Sequence, residues 1–105
     1  MLNNILVTIL EPKRIVVELR GVDDASVLLA LGFSKKGNAY SINFDNEKEQ
    51  LSLVEKLAGA GALFSYGHGW APSELMAYLK DQGKINFPYK IILWRSPDHY
   101  EIIDK

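Results

Sequence analysis

Each end of this 105-residue chain carries two β-type runs separated only by a short turn containing proline, and this limits the fold more than any other feature. At the start, residues 5–10 and 14–20 are rich in Ile, Val and Leu. The "EPK" between them suits a turn and would not suit a central strand. At the other end, "YKIILWR" and "YEII" flank "SPDH" in the same way. Both pairs are expected to close as hairpins, which forces antiparallel neighbours at two places in the sheet. In the second run Ile15, Val17 and Leu19 alternate with Val16, Glu18 and Arg20, so one face meets a core and the other is partly wet. The first run is apolar on both faces and is expected in the centre of the sheet.

Between the hairpins the periodicity changes to helical. Asp23 or Asp24 can cap a short helix that runs to Leu31, with Gly32 as its stop and Val27, Leu28 and Leu31 as its buried stripe. "SKKGN" reads as a turn, after which Tyr40, Ile42 and Phe44 alternate with Ser41 and Asn43 as a strand. A second hairpin can start at Phe33. Asn46 and Glu49 have capping-box spacing ahead of Leu51, Val54 and Leu57, and "AGAGA" ends that second helix. A short strand at residues 63–66 follows. Pro72 fits the first position of a third helix over residues 72–82, with Glu74 at its positive end, Leu75, Met76 and Leu79 on its apolar side, and Gly83 beyond it. The expected order is ββαβαβαββ, with room for one extra short strand. It describes a single α+β domain over residues 1–105, with a mixed or mostly antiparallel sheet and about three helices.

Composition narrows the function by exclusion. Twelve basic and thirteen acidic residues leave a net charge of -1, so no global field attracts phosphate backbones, and nucleic acid is an unlikely partner. With no cysteine there is no disulfide, no thiol nucleophile and no thiolate metal site, which fits a reducing compartment. The apolar start lacks a basic leader and is interrupted by "EPKR" too soon to span a bilayer. The expectation is a cytoplasmic protein with no membrane contact. The basic and aromatic residues of "FSKKGNAYSINF" and "NFPYKIILWR" are too sparse for a stacking platform. Lys35 and Lys36 are read as a solvated turn, and Tyr40, Phe44 and Trp94 as sheet residues facing helices.

One stretch concentrates chemistry-bearing side chains: "FSYGHGWAPSEL", residues 64–75. Its G-x-G lies between a strand and a helix N-terminus, where backbone N–H groups can hold an anion. Yet Pro72 stands where a third glycine would be needed, no lysine follows, and Glu74 already complements the helix dipole. Leu63 occupies the first glycine position of a hydrolase elbow around Ser65. His68, His99, Glu74 and Asp98 are the plausible metal ligands, but no pair has the spacing that sets two imidazoles on one helical face. No metal and no cofactor are expected, and no catalytic residue is assigned.

What remains is a binding reading. Tyr66, His68 and Trp70 would share a side if the chain stays extended, giving a polar-tipped aromatic surface of the kind enriched at interfaces. Alternatively, Trp70 folds back over the third helix near Leu75 or Trp94. Tyr66, His68, Trp70, Ser73, Glu74 and Arg95 are the candidate binding residues. The expected function is a non-catalytic interaction module for a protein partner or a second copy of the chain. The alternative is a small hydrolase or transferase with His68 as general base, Ser65 or Ser73 as nucleophile or substrate contact, Asp98 or Glu74 orienting, and Arg95 steadying an anion.

Overall fold

The computed structural model describes residues 4–20, 25–67, 71–96 and 98–105. The chain is a single α+β domain with the element order β1 (Asn4–Glu11), β2 (Arg14–Arg20), α1 (Ser26–Leu31), β3 (Ser34–Lys36), β4 (Ala39–Asn43), α2 (Glu47–Gly59), β5 (Leu63–Ser65), α3 (Pro72–Asp81), β6 (Lys90–Ser96) and β7 (His99–Asp104). The extra short strand is β3, paired antiparallel with β4. The seven strands form one mixed sheet in the order β3-β4-β2-β1-β5-β6-β7. Both terminal hairpins are present, and the doubly apolar β1 lies in the middle of the sheet, as its composition suggested.

β5 runs parallel to both β1 and β6, so the connections through α2 and α3 are crossovers. Right-handed crossovers that step in one direction across a sheet put their helices on the same face. Accordingly Leu28 of α1, Leu53, Val54 and Leu57 of α2, and Met76 and Leu79 of α3 bury together against Val7, Ile15, Val17, Phe64 and Ile91. The opposite face carries a separate small cluster of Leu6, Leu63 and Ile92, with Tyr100 packed against it. None of the three described helices contributes to that second cluster.

A bulge in β1 between Val7 and Ile9 reconciles its register with this two-faced packing. The extra residue lets both Val7 and Leu10 reach the helix side, although they are three residues apart. Thr8, at the bulge, donates its hydroxyl to the Val16 carbonyl at 3.3 Å.

The helices follow the expected chemistry with two differences, one at a cap and one in burial. Asn46 Oδ1 accepts from the Glu49 N–H at 2.9 Å, but the Glu49 carboxylate accepts from the Asp45 N–H instead of closing the box on Asn46. In α1 only Leu28 is fully buried, while Val27 is 43% exposed. One six-residue helix turns too little surface toward the sheet to bury all three expected positions. Its end is as expected: Gly32 has φ 100°, and Phe33 N–H donates to the Leu28 carbonyl. The expected Asp23 or Asp24 cap lies outside the described residues.

Candidate functional site

The strand-to-helix connection after β5 begins with Tyr66, whose N–H donates to the Ile92 carbonyl at 3.0 Å and prolongs the β5–β6 ladder by one bond. The next residue, Gly67, donates its N–H to Ser73 Oγ at 3.3 Å. Ser73 is only 7% exposed, and this bond ties the strand exit to the first turn of α3. A Cβ on Gly67 would lie 2.9 Å from the Ala71 Cβ, closer than two carbons pack, so the turn requires glycine there. For Gly67 and Ser73 the stretch has the geometry of a built turn.

The remaining candidates fall in different places. His68 and Trp70 lie outside the described residues. Tyr66 is 46% exposed at the end of β5. Ser65 is in register with Ile92, on the face away from the helices, whereas Ser73 is in the helix layer. The two serines therefore lie on opposite sides of the sheet. Glu74, in the first turn of α3, lines a groove of about 710 Å³ with Pro12 and Lys13 of the β1–β2 turn, Glu47 of α2, and Tyr78. At that groove Lys84 Nζ meets Glu47 Oε2 at 2.9 Å, and this hydrogen bond raises the lysine above its ordinary pKa. Among the described residues no three His, Asp or Glu side chains converge as a metal cluster.

Arg95 belongs to a second surface. It lies at a bulge in β6 between Trp94 and Ser96, and its guanidinium reaches Glu101 of β7 at 3.2 Å. With Trp94, Ser96 and Arg20 it lines a shallow depression of about 490 Å³. Arg20 in turn contacts Glu18 at 3.4 Å. Trp94 is opposite Tyr100 in the β6–β7 ladder, and the two rings pack at 5.3 Å between centroids with a 58° tilt. Ile102 is opposite Ile92 on the same face. Trp94 remains 37% exposed and Ile102 43%. Beyond the bulge, His99 Nδ1 is 3.0 Å from Ser96 Oγ.

Trp94 thus corrects the expectation that it faces the helices. It follows Ile92 by two residues and shares the side of the Leu6, Leu63 and Ile92 cluster. β6 is apolar at Ile91, Ile92 and Leu93 in succession, so alternation alone did not say which parity faces the helices. The missed surface residues, Arg20, Trp94, Tyr100 and Ile102, had one usable signal. The terminal hairpin pairs Trp94 with Tyr100, and crossovers of one hand leave one face without helices. Comparison of the chain with protein families, with curated proteins and with solved structures gives no match.

Proposed function

We propose that the chain is a non-catalytic protein-binding module whose contact surface is the β6–β7 end of the helix-free sheet face. The observation carrying this reading is the packed Trp94–Tyr100 pair, partly exposed beside Ile102 and flanked by Arg20 and Arg95. Tryptophan, tyrosine and arginine are the residues that most often dominate binding energy at interfaces. Trp94 and Tyr100 already pack against each other across the β6–β7 ladder, so little of their side-chain order has to be gained on binding. The groove beside Tyr78 is larger, but its rim carries Asp45, Glu47 and Glu74, and among the described residues it has no comparable aromatic cluster. No helix among the described residues is long and apolar enough to cross a membrane. The partner is taken to be another protein surface, met in the cytoplasm.

Affinity capture tests the reading with three forms of the chain: wild type, Trp94→Ala and Tyr78→Ala. Bound proteins should be retained by wild type and Tyr78→Ala and lost from Trp94→Ala. Capture unaffected by Trp94→Ala and abolished by Tyr78→Ala would move the site to the groove and overturn the proposal.

A further inference from the structure

The two edges of the sheet differ in how they meet solvent. β3 is three residues long, fully exposed, and carries Lys35 and Lys36, the kind of short charged edge that resists pairing with other strands. β7 is six residues long and contains no proline or lysine, and among the described residues it pairs only with β6.

The hydrogen-bond phase of β7 follows from one mutual pair. Lys105 N–H donates to the Tyr89 carbonyl at 2.9 Å, and Tyr89 N–H donates to the Lys105 carbonyl at 3.4 Å. In an antiparallel ladder bonded and non-bonded pairs alternate, so Ile103 and Glu101 also turn their backbone groups toward β6. Tyr100, Ile102 and Asp104 then direct their N–H and C=O groups outward, away from the sheet.

We infer that a second copy of this chain pairs with that edge, β7 against β7, antiparallel about a two-fold axis at Ile102. This inference rests on the reading of the β6–β7 end as a contact surface and names its partner. The register follows from three requirements. Paired residues must share a sheet face, outward groups must meet outward groups, and like charges must not stand opposite one another. Centring on Ile102 places Ile102 against Ile102 and Tyr100 against Asp104 of the other copy, with about six backbone hydrogen bonds. The Tyr100 phenol can then donate to the facing carboxylate. Sliding the register toward the start of β7 would set Glu101 against Glu101. Sliding it the other way would set Ile102 against Asp104 and lose about two of the bonds. In the chosen register the half-exposed Ile102 side chains bury each other, and the face carrying Trp94 continues across both copies. The interface is small, so the dimer is concentration-dependent and not obligate.

Sedimentation over a dilution series from about 1 mM, where weak association registers, should show a monomer–dimer equilibrium. Ile102→Lys should weaken it by about tenfold or more. The chain has no native cysteine, so single substitutions report register directly. Ile102→Cys should oxidise readily to a disulfide dimer, because facing bonded residues lie about 5.5 Å apart at Cα, within disulfide reach. Glu101→Cys, displaced from its own copy across the axis, should cross-link poorly. If Ile102→Lys fails to fold, the contrast between the two cysteine variants decides. A strict monomer throughout, a dimer indifferent to Ile102→Lys, or equal cross-linking at both positions would overturn the inference. Capture of other proteins that depends on Trp94 while the chain stays monomeric would overturn it and leave the proposed function standing.

Discussion

Among single residues, Gly67 and Tyr89 carry the clearest consequences. A methyl at Gly67 would approach Ala71 Cβ to 2.9 Å, so the strand end and the α3 start would have to move apart. Gly67→Ala should destabilise the fold by about 1–3 kcal/mol in chemical denaturation. Adding Ala71→Gly should restore part of the loss, whereas unchanged stability in the single variant would contradict the packing. The sequence placed Gly67 in the G-x-G between a strand and a helix, but did not show the carbon it has to avoid. That contact depends on where the strand exit meets α3. Tyr89 is 4% exposed and packs edge-on against Phe64 at 6.0 Å. Burial, and then the nearby Asp81 charge, raise its hydroxyl above the ordinary value of 10.0. The folded chain therefore holds this proton more tightly than the unfolded chain does. The resulting stability is complete below pH 10.0 and is lost as the pH rises through the higher folded-state value. Unfolding midpoints should fall above that pH in wild type and fall less in Tyr89→Phe. Parallel curves would remove Tyr89 as a cause.

Among the elements, α2 was the most legible and β6 the least. Asn46 accepts from the Glu49 N–H, and Gln50, buried on the same helix, donates its side-chain amide to the Glu11 carbonyl at 3.0 Å. Asn46→Ala should cost about 1 kcal/mol, with Asn46→Asp retaining most of it. Equal midpoints for all three forms in urea would show that the cap carries nothing. The capping spacing was readable because it is local. The diversion of the Glu49 carboxylate to the Asp45 N–H was not, since it depends on the angle at which the chain enters the helix. In β6 the three successive apolar residues hid its parity, and with it the outward side of Trp94. The face became legible only from its register with Tyr100 and Ile102 in β7.

At the scale of the whole molecule, the order of strands and crossovers makes one sheet face a helix-packed core and, among the described residues, leaves the other to the sheet's own side chains. The hairpins at both ends and the central position of β1 were evident in the sequence. The strand order was not, because hairpins specify only nearest neighbours. The candidate binding residues illustrate the same limit. Ser73 serves the turn, Glu74 lines the groove, and Arg95 stands with an aromatic pair on a different surface. Under the proposed function, the β6–β7 end of the helix-free face meets protein partners. A photo-crosslinking amino acid placed at Trp94, and in a parallel chain at Tyr78, tests that claim in cells. Adducts should form from position 94 and be absent or weak from position 78. Adducts confined to position 78, or none from 94 in a folded chain, would contradict it.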